Sequence, residues 1–260
     1  MHICIHLRNL FFVIESTSYS QFWAVMEIAA EFVLQLIKLS SKQYVFVLDG
    51  ILTIPEQEKN PKKGIVVFAH GSGSGRHSPR NQYVASVLND SGISTLLVDL
   101  LTEEEQKIDE KTREYRFNIK LLSNRLSAIT DWLLVKNPET LNFTVGYFGA
   151  STGAAAALMT SAVVAAEDRP TLIKAIVSRA GRPDLAGSSS LKQVQAPTLL
   201  IVGSKDNAQI IGLNQKAMQQ LKNVKKKRLV MVPEAGHLFE EPGTLEEAAT
   251  HAASWFEQYL

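Results

Sequence analysis

The sequence predicts a single α/β domain: a mostly parallel sheet with an N-terminal antiparallel hairpin, helices on both faces, and little or no lid. Three observations carry that expectation. Short apolar runs of strand length recur along the chain and alternate with segments of helical periodicity. An Asp49-Gly50 dipeptide interrupts an early apolar stretch, as a hairpin turn does. No repeat, low-complexity tract or linker divides the 260 residues, a length that supports one sizeable core.

The elements follow in order. Residues 1–40 read as an N-terminal extension ahead of a domain over 41–260. "LFFVI" (10–14) is too short for a signal peptide, and no run reaches the length of a membrane span. From Met26, Glu27, Glu31, Gln35 and Lys38 recur every three or four residues, which predicts an apolar helix over about 26–39 with one polar stripe. Such a helix packs on the domain body or on a second copy, giving a possible homodimer; its stripe lacks the basic residues of membrane-surface helices. Residues 1–25 read as dispensable, with Met26 as the working start.

"QYVFVLDGILTIP" (43–55) is expected to fold back at Asp49-Gly50. Buried-strand runs then fall at 64–70, 94–100, 143–149, 172–178, 197–203 and 227–233. Between them, "RFNIKLLSNRLSAITDWLL" places Phe117, Leu121, Leu122, Ile129 and Leu133 on one helical face. The last helix, "TLEEAATHAASWFEQYL", is expected to open with a capping box of Thr244 and Glu247.

Charge and cysteine content exclude several classes. A formal net charge of +1 gives no reason to expect nucleic acid or an anionic membrane as partner, so no stable membrane insertion is expected. Cys4 is the only cysteine, which excludes an intrachain disulfide, a cysteine-based metal cluster and a cysteine nucleophile in the body of the fold, and makes a reducing cytoplasm the expected location.

In doubly covered parallel sheets chemistry collects at the carboxyl ends of strands. After "FTVGYFG" comes "GASTG" (149–153), a G-x-S-x-G pattern followed by Ala154–Ala157. A strand-to-helix turn sharp enough to expose a serine tolerates only tiny neighbours two places away, and the alanines let the next helix lie close. Ser151 is therefore the candidate nucleophile. It needs a base, and the base needs an orienting acid. Of six histidines, His237 lies on a glycine-preceded loop between the last strand and last helix, where a base belongs. His70 ends a strand and reads as a brace for the glycine-rich loop, and His251 reads as a surface or packing residue. Asp206, after "LLIVG", completes the chain order Ser, Asp, His; Asp184, after the preceding strand, competes with it. The "EEE" at 103–105 reads as a solvated face.

"HGSGSGRHSPRN" (70–81) follows the strand at 64–70. It does not fit a P-loop, and Arg76 stands where a dinucleotide fingerprint needs its third glycine. No helical pattern starts directly on it. A loop of small residues that faces a backbone N–H toward developing negative charge remains. Arg76, Arg80, Arg179 and Arg182 fall in loops at the same edge, as does His77. They either form structural ion pairs or bind an anionic group on a substrate.

With "HGSGSGRHSPRN", "LLVDLLTEEE", "GASTG", "VGSKD" and "GH" in these places, residues 43–258 resemble the α/β-hydrolases, and most of all the dienelactone hydrolase-like branch. Dienelactone hydrolase itself uses a cysteine where this chain has Ser151, so the resemblance points to the serine esterases of that branch. It implies a small ester, thioester or lactone as substrate and two-step acyl transfer by Ser151, His237 and Asp206. The oxyanion would be held by the N–H of Thr152 and by a second donor from Ser72 or Gly73. No metal or organic cofactor is expected. Only about eighteen residues separate the strand ending near Ser178 from that starting near Pro197, too few for a large lid. Alternatives on the same residues are peptidase or acyltransferase activity, or a catalytically weak binding module.

Overall fold

The computed structural model describes residues 28–37, 45–55, 64–167, 169 and 172–260, with backbone only for 28–37 and Val45. Among the described residues eight strands form one sheet: β1 Ile28–Ile37, β2 Val45–Ile54, β3 Gly64–Ala69, β4 Ser94–Val98, β5 Thr144–Ala150, β6 Ile173–Arg179, β7 Thr198–Gly203 and β8 Lys227–Val232. Their spatial order is β1-β2-β4-β3-β5-β6-β7-β8. The pairs β1–β2 and β2–β4 are antiparallel, and all others are parallel.

The strand sequences explain why both faces are covered. β3, β4 and β7 are buried at every position, as a sheet with helices on both sides requires. In β3, Ile65, Val67 and Ala69 join a core with α3 (Ile119–Val135), α4 (Thr152–Ala166) and α6 (Ala208–Gln220). Val66 and Phe68 join the opposite core with α1 (Pro79–Asp90) and α7 (Thr244–Tyr259). Each large side chain so buried contributes about 1.5–3 kcal/mol. Phe256 of α7 sits so close over β5 that a Cβ on Gly146 would lie 2.8 Å from its ring.

The structure departs from the sequence reading at the first two strands. The helix expected over about 26–39 is instead strand β1, paired in register from Ile28↔Ile54 to Ile37↔Val45. Strands β1 and β2 stand on either side, in sequence, of the boundary expected at residue 40. That segment carries a second period: positions 28, 30, 32, 34 and 36 are all apolar, while Glu31 and Gln35 are both odd. The edge of β2 offers a full ladder of backbone partners, so the period of two prevails. The antiparallel hairpin is β1–β2, and its connection (38–44) lies outside the described residues, as does the proposed extension over 1–25.

Asp49-Gly50 is not a turn but the middle of β2. Gly50 pairs with Val98, and a Cβ there would come within 3.2 Å of the Leu96 side chain and 3.3 Å of Leu97 O. The glycine serves close strand approach, and Asp49 O accepts from Asp99 N at 2.9 Å.

Helix ends also shift. α7 takes Gly243 as N-cap, so Thr244 lies in the first turn and its hydroxyl donates to Glu241 O at 2.7 Å; the box expected with Glu247 does not form. A capping box forms instead on α2 (Glu103–Thr112), between Thr102 and Glu105. Glu105 also pairs with the buried Arg125 at 2.7 Å, so it is no solvated residue, although Glu103 is exposed. Phe117 precedes α3 and is exposed, because Asn118 caps that helix by accepting from Leu121 N at 3.1 Å. Between β6 and β7 stand only a short 3-10 turn, Pro183–Ala186, and α5, Gly187–Gln193. No large lid covers the sheet edge there.

Candidate active site

Ser151 links β5 to α4 with φ 50° and ψ −116°, a conformation that costs a non-glycine residue energy. Sterics hold it there. A Cβ on Gly149 would lie 2.4 Å from Ala154 Cα, and one on Gly153 would lie 2.0 Å from Ala69 O. Only glycine fits at either place, and Ala154–Ala157, all fully buried, let α4 lie against the sheet. The Ser151 N–H donates to Arg179 O at 3.1 Å, and Arg182 N donates to Ser151 O at 3.0 Å. The elbow is thus tied to the end of β6.

His237 and Asp206 arrive on two separate loops that are laced together. Ser204 N donates to Val232 O at 2.9 Å, Lys205 N to Ala235 O at 2.9 Å, and Glu234 N to the Ser204 hydroxyl at 2.9 Å. Gly203 makes the approach possible, since a Cβ there would stand 2.1 Å from Ala235 O. Beyond Gly236, Glu241 accepts from the Gly236 N–H at 3.0 Å. That bond leads the causes that hold the Glu241 carboxyl below its ordinary range.

His237 Nδ1 lies 2.9 Å from Asp206 Oδ2 and 3.1 Å from Oδ1. A carboxylate only accepts, so Nδ1 carries the proton and Nε2 presents its lone pair. The Asp206 side chain is 1% exposed, whereas the imidazole is 37% exposed. Asp184, the competing carboxylate, instead forms a two-pronged pair with Arg182 at 2.8 and 2.9 Å. Ser151 and His237 line one cavity of about 190 Å³. Among the described residues no hydrogen bond joins the two, a separation common in catalytic pairs that tighten on substrate.

The glycine-rich loop lies over the elbow. A Cβ on Gly71 would be 3.3 Å from Ser151 Cβ, so glycine lets the loop reach Ser151. The Ser72 hydroxyl sits 3.1 Å from the Thr152 hydroxyl, which brings those two expected residues together. Gly73 occupies the positive-φ corner of the turn closed by Ser74 N and Gly71 O at 3.1 Å. It does not line the cavity of Ser151 and His237, but a small cleft with Thr152 and Arg116 and the wider groove that His77 also lines.

His70 braces this loop. Its Nδ1–H donates to Gly71 O at 3.0 Å, and its Nε2 accepts from Leu100 N at 3.0 Å. Only the neutral ring makes both bonds. Burial pushes its pKa below 6.5, against the opposing pulls of the Gly71 bond and the Asp99 charge.

The substrate-facing candidates separate. Arg76 is committed to Asp99, which also accepts its backbone N–H at 2.6 Å, and reaches Asp49 at 3.5 Å. His77 is exposed and lines a wider outer groove of about 860 Å³. Arg80 and Arg179 both line the cavity of Ser151 and His237. Arg80 pairs with exposed Glu240 at 3.2 Å. Arg179 is 6% exposed, and burial first, then the Arg80 charge, push its guanidinium down to about 10, still cationic at neutral pH.

Sequence reasoning missed three parts of the site. α1 starts at Pro79, directly on the glycine-rich loop, and Ser78-Pro79 was the available signal because proline favours the first helical position. Asn81 follows, buried and bonded to Arg179. The third part is Asp109, whose carboxylate takes Arg116 Nε at 2.6 Å and the N–H groups of Tyr115 and Arg116 at 2.8 and 2.9 Å. Burial raises the Asp109 pKa, but those bonds outweigh it and hold it below the ordinary range.

Among the described residues no group of three or more potential ligands could hold a metal ion, and no helix is long and apolar enough to cross a membrane.

A family model described as an alpha/beta hydrolase domain matches residues 62–258. The chain is similar to a dienelactone hydrolase from Anabaena variabilis, at 50% identity and TM-score 0.76, covering 89% of this chain and 99% of that one. It shares its fold with Est1E from Butyrivibrio proteoclasticus, at 14% identity and TM-score 0.65, covering 88% and 98% of the two chains. It is also 54% identical over 211 residues to a putative phosphoribosyl transferase of Mycobacterium tuberculosis. That match takes 81% of this chain but spans only 44% of the relative's length.

Proposed function

The chain belongs to the alpha/beta hydrolase family, and we propose that it is a serine hydrolase that cleaves a small ester, thioester or lactone through an acyl-enzyme. The observation that carries this reading is the pairing of a strained Ser151 elbow with a His237 imidazole held by Asp206 at 2.9 Å, both on one cavity.

In the proposed reaction His237 Nε2 takes the Ser151 proton as Oγ attacks the carbonyl carbon. Asp206 keeps the proton on Nδ1 and stabilises the imidazolium without being protonated. The oxyanion faces the amide N–H at the start of α4, reinforced by that helix's positive end, and the Ser72 end of the glycine-rich loop. His237 returns its proton to the leaving oxygen or sulfur. Water, deprotonated by the same nitrogen, then cleaves the acyl-enzyme. The open β6–β7 connection suits a small substrate rather than one needing enclosure under a lid.

The transferase name attaches to relatives that this chain spans for less than half their length, and the elbow, base and acid lie within the matched α/β-hydrolase portion.

The test is labelling by a fluorophosphonate probe, wild type beside Ser151→Ala. Labelling of wild type alone is expected, with kcat for an aryl ester falling on the order of 10⁶-fold in the variant. Folded wild type that takes no label overturns the reading.

A further inference from the structure

The cavity above Ser151 holds a cation that acyl transfer does not need. The guanidinium carbon of Arg179 lies 5.8 Å from the ring centroid of Phe148 and 5.9 Å from that of Phe239, over the face of each. Its Nη2 donates to Asn81 Oδ1 at 3.3 Å, while among the described residues the buried Nη1 has no partner and no carboxylate pairs with the group. A buried guanidinium answered only by one amide oxygen is costly, and the arrival of an anion relieves that cost. The other arginines of this edge differ: Arg76 is paired with Asp99, and Arg182 with Asp184.

A second, independent feature converges on the same space. The 12-residue helix α1 begins at the cavity wall, through Ser78, Arg80 and Asn81. Its N-cap Ser78 makes no side-chain capping bond, and its first turn holds no acidic residue. The positive end of the helix thus has neither a side-chain cap from Ser78 nor a carboxylate of its own first turn to balance it. Arg80, in that turn, adds a second guanidinium whose only carboxylate among the described residues is exposed Glu240.

We propose that Arg179, Arg80 and the amino end of α1 form a subsite for an oxyanion, a carboxylate or a phosphate, carried by the substrate in the same cavity as the bond that is cleaved. This rests on the hydrolase reading above. Planar guanidinium groups and helix-end N–H groups both suit such an oxyanion. Because the Arg179 carbonyl accepts the Ser151 N–H, the anion would be held at a set distance from the nucleophile, and anchoring becomes orientation.

Three aryl esters with equal acyl chains, ending in methyl, carboxylate or phosphate, separate the possibilities. Wild type is expected to favour at least one anionic ester over the neutral one by roughly tenfold or more in kcat/KM, and the better arm identifies the anion. Arg179→Met is expected to remove that preference and Arg80→Met to cut it severalfold. If Arg179→Met does not fold, the partly exposed Arg80 carries the comparison alone. Neutral ester turned over with no anionic preference, or a preference unchanged by the variants, overturns the subsite while the hydrolase reading stands. If neither turnover nor fluorophosphonate labelling occurs, the hydrolase reading fails. The subsite is then judged by calorimetric binding of inorganic phosphate and of malonate: weaker binding to Arg80→Met supports it, and equal or absent binding overturns it.

Discussion

At the carboxyl end of β5, Ser151 is held by contact: two glycines and four alanines leave no room for any other path between strand and helix. At the ends of β7 and β8, Asp206 and His237 are held by hydrogen bonds between loops that lie far apart in the sequence. The serine half is stiff because atoms would overlap if it moved. The histidine half is 37% exposed at its imidazole and is fixed by the Asp206 carboxylate rather than by close packing. The pair teaches that one half of such a site can be preset by packing while the other is aligned by a hydrogen-bonded acid.

The sharpest way to break the histidine half is Asp206→Asn. The imidazole would lose its acceptor-only partner and with it the tautomer that frees Nε2. A fall in kcat on the order of 10⁴-fold is expected with KM little changed, and activity near wild type would show that the acid is dispensable.

The serine half should break by folding rather than by chemistry. In Gly153→Ala the new methyl would meet Ala69 O at 2.0 Å, a backbone atom that cannot swing aside. A loss of about 3 kcal/mol or more in urea unfolding is expected. Unchanged stability would show that the elbow is looser than its contacts imply.

His70 links the two halves' common roof to pH. Its folded pKa lies below the 6.5 of the free side chain, so the unfolded chain binds the extra proton first. The contribution is present above pH 6.5 and is lost as pH falls toward the folded value. The urea midpoint should therefore drop on acidification from about pH 7.5 to about pH 5, and drop less in His70→Gln. Equal slopes would remove His70 as the cause.

The smallest effect is a control in the opposite direction. Gly212, inside α6, has nothing within 4 Å of a would-be Cβ. Gly212→Ala is expected to stabilise the protein by about 0.5–1 kcal/mol in thermal unfolding. A destabilised variant would show that open space around a glycine does not predict tolerance here.

Much of this was legible in the sequence. The "GASTG" elbow could be read because its constraint is local: five consecutive residues contain the turn and the atoms that would clash. The parallel strands could be read because fully buried strands are continuous apolar runs. By contrast, Ile28–Ile37 carried helical and strand periods together, and pairing with β2 decided between them. Asp49-Gly50 looked like a turn because the dipeptide's own preference says nothing about a neighbouring strand that needs the space.

The sequence by itself determined the strand-and-helix alternation, the place of Ser151 at a strand-to-helix turn, and the place of His237 on the loop before the last helix, since each follows from local sterics or short-range order. Only the tertiary structure decided between Asp206 and Asp184, and between Arg179 and Arg76. Those choices depend on which carboxylate another loop brings near. Asp184 and Arg76 are each drawn into an ion pair, while Asp206 is left for His237 and Arg179 is left with one amide oxygen. The Arg182–Asp184 pair is local, two residues along one loop, but the other partners come from strand order across the sheet, and no spacing along the chain encodes them.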